Sequence, residues 1–568
     1  MAAILALSAG LAAPVAEATI TGQVIDSLSG QPVTEARVRI QTTTDDPVLT
    51  GTDGLFTLSD VPAGTVTVTA VVSYDPDRAI NYITAAGQAS DGDHLVLALT
   101  RLPPNREDIY DPGTSFSCAT CHQDQHNQWL GSTHSGAAVN EWVLDLFSGT
   151  GTPGGDAGYV FRDSHDPGDT GFCATCHAPL EDVQTPGGAM LDEVSLAGGL
   201  DGVTCLACHQ VAHVNDNVSA LHHLGNAEYR FPDEAPTELW VWGPLDDVSF
   251  GTMRASHQPG FSNARFCASC HEYDNPTTGA PGQNTYTEWL AGPFSQPGEN
   301  FRACQDCHMP PADEPGPISS LGTQPERVAE QRRDHRFIGA TPTTLSNAIE
   351  LELEASQVGN ELEVIARVTN AGAGHHFPTG ISIRNALLVI TASVDGLPLN
   401  PTGGDTIPFY GSAQTTDTDD DLAGQPGKGF ARILEGRING QGPIVRPVLF
   451  IDAEDVWADT RIPSGSTDIS SYRFALNDLP VGSEVDITAR LLYRRAFRDL
   501  VVTKGWTTTP TGGPIEIEVA SQSLGMTTLP PPREVPVLAV WGVLVLVLGV
   551  VIGSRIKAQG SRRKVKAP

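Results

Sequence analysis

The sequence predicts a multidomain fold: an N-terminal β-sandwich, a central region of short helices and irregular chain, a C-terminal β-sandwich and one C-terminal transmembrane helix. Three observations carry this prediction. Apolar and polar residues alternate with period two on either side of residues 103–340 but not within them. All ten cysteines fall inside that middle region, in one repeated pattern. Residues 535–553 form a 19-residue run without a charge, the length of one membrane span. At 568 residues the chain exceeds a single hydrophobic core. Its 67 acidic and 34 basic residues give a net charge of −33, which argues against a nucleic-acid binder, whose surface is basic.

Residues 1–18 are nearly all small or apolar, and Ala16-Glu17-Ala18 suits a small-x-small cleavage site, so a signal peptide is expected there. No basic segment precedes it, which suggests a truncated start. Residues 19–102 read as strands: Ala36, Val38 and Ile40 alternate with Arg37 and Arg39, and a dense β-branched run spans 64–72. Gly30, Pro32, Gly54 and Pro62-Ala63-Gly64 punctuate them. The pieces Gly22-x-Val24-x-Asp26, Gly30-x-Pro32-Val33, Thr52-Asp53-Gly54-x-Phe56 and Val61-Pro62-Ala63-Gly64 resemble the carboxypeptidase-regulatory-like, transthyretin-like domain family. That resemblance implies a spacer or adhesion module without an active site.

Residues 103–340 carry Cys-x-x-Cys-His five times: Cys118, Cys121, His122; Cys173, Cys176, His177; Cys205, Cys208, His209; Cys267, Cys270, His271; and Cys304, Cys307, His308. Two thiols three positions apart can add to the two vinyl groups of one porphyrin, and the adjacent His reaches the iron. Zinc sites use similar spacings but do not need that histidine five times over. Five covalently bound haem c groups are therefore the expected cofactors, with the ten cysteines as attachment points and the five motif histidines as proximal iron ligands. Haem of this type is attached outside the cytoplasm, which implies export.

Sixteen histidines less the five in the motifs leave eleven for the distal faces. Imidazole on both faces makes a low-spin, electron-transfer haem. The motif spacings of 55, 32, 62 and 37 residues read as a duplicated two-haem unit preceded by one further haem. Ser164-His-Asp-Pro-Gly168 and Ser256-His-Gln-Pro-Gly260 then make His165 and His257 equivalent candidates. His134, in Trp129-x-x-x-x-His134, aligns with Phe294 after Trp289, so one copy lacks a local donor. His213, His335 and one of His375 and His376 complete the distal candidates; the last two lie in a glycine-rich turn that could reach across a domain boundary.

The order of these motifs, with Trp129, Gly202-Val, Gly243-Pro244, Cys307-His-Met-Pro310 and His335-x-Phe337-x-Gly339, resembles the multihaem cytochromes c related to the tetrahaem nitrification cytochrome and octahaem hydroxylamine oxidoreductase. The resemblance covers roughly residues 112–340 and implies mainly bis-His haems in close pairs. No Cys-x-x-Cys-Lys motif is present, and five motifs are too few for the octahaem enzyme. The function expected is an exported, membrane-anchored cytochrome relaying single electrons, with no catalytic residue assigned. The alternative is a multihaem oxidoreductase acting on a small nitrogen or sulfur compound at one open haem. Redox proteins, a membrane electron donor or haem-to-haem contact with other cytochromes are the expected partners.

Residues 345–520 return to strand alternation, as in Ile349-Glu-Leu-Glu-Leu-Glu354, and read as a second sandwich. Asp417, Asp419 and Asp421 have EF-hand spacing, but Leu422 and Lys428 replace the Gly and bidentate Glu, so a solvated turn is expected. A linker at 521–534 leads to the uncharged run at 535–553. A basic tail at 554–568 follows, with Arg555, Lys557, Arg562, Arg563, Lys564 and Lys566. The basic flank reads as a cytoplasmic stop-transfer signal, placing the haem region on the periplasmic or cell-surface side. The segment also resembles the C-terminal sorting signals of some Gram-negative exported proteins, which implies release after processing.

Overall fold

A computed structural model describes residues 18–105, 114–215, 227–229, 239–249, 253–322, 324–413 and 421–530. The first seven strands are β1 (Ile20–Asp26), β2 (Arg37–Ile40), β3 (Val48–Leu49), β4 (Leu55–Leu58), β5 (Val66–Val71), β6 (Ala85–Ala89) and β7 (His94–Leu99). They form two sheets, β4-β1-β7 and β3-β2-β5-β6, with β1 parallel to β7. Alternate residues turn inward, so Ile20, Val24, Val38, Phe56, Val68, Leu97 and Leu99 make one core between the sheets. Gly54 (φ +71°) closes the turn before β4, where a Cβ would lie 2.5 Å from the Val24 carbonyl oxygen.

Among the described residues the central region has helices of one or two turns and three two-stranded pairs. The pairs are β8 (Val211–Val214) with β9 (Ala227–Tyr229), β10 (Leu239–Gly243) with β11 (Met253–His257), and β12 (Glu272–Asp274) with β13 (Pro281–Asn284). The N-terminal sandwich is seated on the β10–β11 pair. Tyr74 N donates to His257 O at 2.8 Å and Thr84 N to Ala255 O at 2.9 Å. Arg37 and Arg39 both pair with Asp246, and Arg327 pairs with Asp247. The domain is docked by backbone and charge, not hung as a free spacer.

The C-terminal sandwich contains β14 (Ile349–Val358), β15 (Glu361–Asn370), β16 (Asn385–Val394), β17 (Leu397–Pro398), β18 (Pro401–Gly403), β19 (Gly427–Gly436), β20 (Ala453–Asp459), β21 (Thr467–Ala475), β22 (Glu484–Arg494) and β23 (Glu516–Thr527). Their sheets run β14-β15-β21-β18 and β20-β19-β16-β22-β23, with β17 paired to β16. Leu362, Val364, Leu388, Ile390, Tyr472 and Leu491 fill the space between them. Strand β16 is buried on both faces. Its second face, with Leu387 and Val389, packs under Phe497, Val501 and Trp506 and meets Trp142 and Leu146 of the central region. Lys504 closes that seam by donating to the carbonyl oxygens of Asp145, Gly155 and Tyr159 at 2.9, 2.6 and 2.7 Å.

One expectation about the fold is corrected. Among the described residues no helix is long and apolar enough to cross a membrane, so the transmembrane helix, the attachment through it and the membrane-anchored location are withdrawn. Hydropathy over a window measures composition, and here no helix of the required length accompanies it among the described residues. The run at 535–553, its basic flank and the segment at 1–17 lie outside the described residues, as do Asp417 and Asp419. Asp421 accepts a hydrogen bond from Ala413 N at 3.0 Å.

Candidate functional site

Each Cys-x-x-Cys-His motif lies on or directly after a short helix: Phe116–Ala119, Cys173–His177, Cys205–His209, Arg265–His271 and Cys304–His308. A single helical turn puts positions i, i+3 and i+4 on one face, so both thiols and the imidazole point the same way. In every motif that direction is inward to one connected cavity of 1720 Å³, lined by all ten cysteines and all five motif histidines.

The thiols of different motifs meet. Cys118 lies beside Cys205, Cys176 beside Cys270, and Cys267 beside Cys304. Cys208 lies in the neighbourhood of Cys270. The five motifs thus form one contiguous group.

Four motif histidines have Nδ1 on a backbone carbonyl: His122 on Ile318 at 3.2 Å, His177 on Ala137 at 3.0 Å, His209 on Trp242 at 2.7 Å and His308 on Ile338 at 2.5 Å. Nδ1 donates there, which fixes the tautomer and leaves Nε2 with a lone pair for a metal. The fifth, His271, has Nδ1 2.9 Å from the Gln283 side-chain amide. Burial pushes His209 and His271 down to about 4 and about 3, and lowers His177, so these rings are neutral, the form that ligates.

The sequence-derived distal candidates divide. His134 is half-buried, pushed down to about 4 by burial, with its ring centroid 6.3 Å from that of His271. His375, also lowered to about 4 by burial, has its centroid 6.3 Å from that of His308, with the rings 13° from parallel. Two imidazoles bonding one metal from opposite sides have centroids roughly 6 Å apart, from two metal–nitrogen bonds of about 2 Å and about 1 Å from each nitrogen to its ring centre. Both pairs have the separation a bis-His iron needs. His335 lines the cavity near His122 and His209, with Nδ1 on Arg333 O at 2.8 Å. His376 also lines the cavity.

Three candidates lie elsewhere. His165 has Nε2 3.0 Å from Asp452, which also accepts from Tyr159 Oη at 2.8 Å. His257 has Nδ1 2.8 Å from Ser73 Oγ, in the seam with the N-terminal sandwich. His213 stands in β8 opposite Glu228. None of the three lines the cavity, whereas His126, not among the distal candidates, does. Its place one turn after His122 on a short helix was the available signal.

The turn carrying His375 and His376 is held by Glu288, which is 5% exposed. Glu288 Oε2 accepts from His376 N at 3.2 Å and from Thr379 Oγ1 at 2.6 Å, while Oε1 accepts from Arg432 at 2.9 Å and Arg461 at 2.5 Å. Burial alone would raise its carboxyl, but Arg461, the Thr379 hydroxyl, His376 and Arg432 outweigh it and hold the group below its ordinary value.

Residues 19–97 match the model of the carboxypeptidase regulatory-like domain, which covers the N-terminal sandwich. A comparison with curated proteins gives no match. Among solved structures the chain is similar to a penta-heme cytochrome c552 from Thermochromatium tepidum, at 20% identity and a TM-score of 0.49, over 73% of this chain and 98% of that one. It is also aligned with AvmM, which catalyzes macrocyclization in alchivemycin A biosynthesis, at 13% identity and a TM-score of 0.15, over 33% of this chain and 92% of that one.

Proposed function

We propose that the chain is a pentahaem c-type cytochrome that passes single electrons between redox partners. One observation carries the reading: five complete Cys-x-x-Cys-His motifs face one cavity, with thiols of different motifs side by side. The ten cysteines would attach the haems, and His122, His177, His209, His271 and His308 would hold the irons. His134 would be a further ligand at the fourth motif and His375 at the fifth, with His335 beside the first and third. Haem iron supplies the one-electron couple when bound. The chain's own part is to fix the imidazoles through Nδ1, keep them neutral by burial, and set the motifs edge to edge so that successive cofactors are neighbours.

A second reading, an oxidoreductase acting on a small nitrogen or sulfur compound, has one observation in its favour. His165 is committed to Asp452, and beside Cys173 the cavity wall presents Tyr159. An exchangeable face at the second motif would admit a small molecule. Intact mass after acid–acetone extraction, with electron paramagnetic resonance of the oxidised protein, tests both. Five retained porphyrins, all low-spin, support the relay. A high-spin iron whose signal changes on adding hydroxylamine or sulfite supports the second reading. Fewer than five retained porphyrins would sink the first.

A further inference from the structure

The arginines of the chain sort by partner. Leaving aside Arg254 and Arg265, four described arginines have no carboxylate within ion-pair distance: Arg302, Arg332, Arg384 and Arg495. All four line the cavity. In a chain with 67 acidic residues this is not a shortage of anions. These cations are held where no protein anion reaches them.

Arg384 and Arg495 form the tightest case. Asn385 of β16 pairs with Arg494 of β22, so Arg384 and Arg495 stand side by side just beyond that register. Side chains alternate along a strand. Arg494 points to the far side, where it pairs with Glu516 at 2.6 Å. Arg495 points to the cavity and donates only to the carbonyl oxygens of Ala340 and Pro514, at 2.6 and 3.3 Å. Arg384 donates only to Thr379 O at 3.3 Å. Gly380 (φ +91°) leaves its path open, since a Cβ there would lie 2.6 Å from Arg384 Nη1. The nearby carboxylate of Glu288 is committed to Arg432 and Arg461. Two guanidinium groups close enough to repel each other, half-buried and without a counter-charge, cost free energy unless an anion joins them.

We propose that Arg384 and Arg495 together bind a carboxylate side arm of a haem attached at the fourth or fifth motif. The assignment rests on the pentahaem reading. Arg384 lies near both His271 and His375, the imidazoles on those two haems. The planar guanidinium fork matches a carboxylate in two-point contact, and a covalently held porphyrin delivers its carboxylates to the same place in every molecule. Paired there, the arginines neutralise charge beside the iron and favour its reduced state.

The test is a potentiometric titration of the full chain with haems counted by mass, in wild type and in Arg384→Gln, Arg495→Gln and Arg384→Lys. One of the five reduction steps is expected to move to lower potential in each Gln variant. Arg384→Lys should retain most of the wild-type value, and all variants should keep five haems. Five haems with unmoved steps in both Gln variants overturn this assignment alone. Fewer than five haems in the wild type overturn the parent reading instead. Inorganic phosphate should leave the wild-type step unchanged. If phosphate shifts it in wild type and not in the variants, the pair takes a free anion, and the haem carboxylate is the wrong ligand.

Discussion

The two β-sandwiches share an architecture and differ in what they give the central region. Of the N-terminal one only Gln41 lines the cavity; its seam with the central region includes backbone hydrogen bonds, the pairs made by Arg37 and Arg39 with Asp246, the Ser73–His257 contact and the packing of Tyr74 on Trp242. The C-terminal one puts His375, His376, Arg384 and Arg495 into the cavity wall. Both cores are built by the same period-two alternation, so the pattern that makes the fold cannot distinguish a brace from a wall. The difference lies at the strand ends and turns, where a side chain is free of the core and can carry chemistry.

The largest effect that separates the two should follow from His375→Ala. It should convert one low-spin iron to high-spin with five haems retained, as read by electron paramagnetic resonance and mass. His376→Ala should leave the spin count alone, because His375 is the ring set opposite His308. Deleting the N-terminal sandwich should also leave it alone. A change of spin state on that deletion would mean that both sandwiches are walls.

Glu288→Ala tests the C-terminal seam energetically. It leaves Arg432 and Arg461, each 5% exposed, with one counter-ion fewer and frees the turn that carries His375. Breaking a buried pair by removing one partner costs about 3–5 kcal/mol. Denaturant unfolding followed by the haem absorbance should show a loss of that order. A loss below about 1 kcal/mol, typical of exposed pairs, would show that the cluster is solvated.

Much of this was legible from residue pattern. The alternation at 36–40 and 349–354 marks real strands, β2 and β14, and the Cys-x-x-Cys-His spacing marks five short helices facing one cavity. The repeat Ser-His-x-Pro-Gly shows where the pattern misleads. It made His165 and His257 equivalent, yet one ring meets Asp452, 287 residues away, and the other meets Ser73, 184 residues away. A repeat records local similarity and says nothing of the distant element each copy meets. His375 was readable as a candidate because the glycines around it permit close backbone approach. The pairing of Arg384 with Arg495 was not readable, since it depends on the register of β16 against β22. The transmembrane expectation came from composition in a segment outside the described residues.

The smallest effect concerns what holds the N-terminal sandwich together by itself. Asp26, 2% exposed at the end of β1, accepts from Arg101 at 2.6 and 3.2 Å, from the backbone N–H groups of Leu28 and Ser29, from the Ser29 hydroxyl and from Tyr82 Oη. Arg101 is the main reason its carboxyl is held far below the usual range; burial opposes, and the other hydrogen bonds add to the depression. A carboxyl lowered in the folded state binds its proton more readily when unfolded. Its contribution is therefore complete above the unfolded value of about 3.9 and is lost as pH falls from there toward the folded value. Hydrogen exchange of the β1 and β7 amides reads this domain separately from the cavity. Asp26→Asn should reduce their protection relative to wild type at pH 7, and the gap should narrow as pH drops through about 4. The spin state of the irons should not follow it, because Asp26 touches only its own sandwich and the Arg101 strap. A gap that stays constant down to acid pH would mean that Asp26 acts there as a neutral hydrogen-bonding group, and that the domain is braced by its seam on β10–β11 instead.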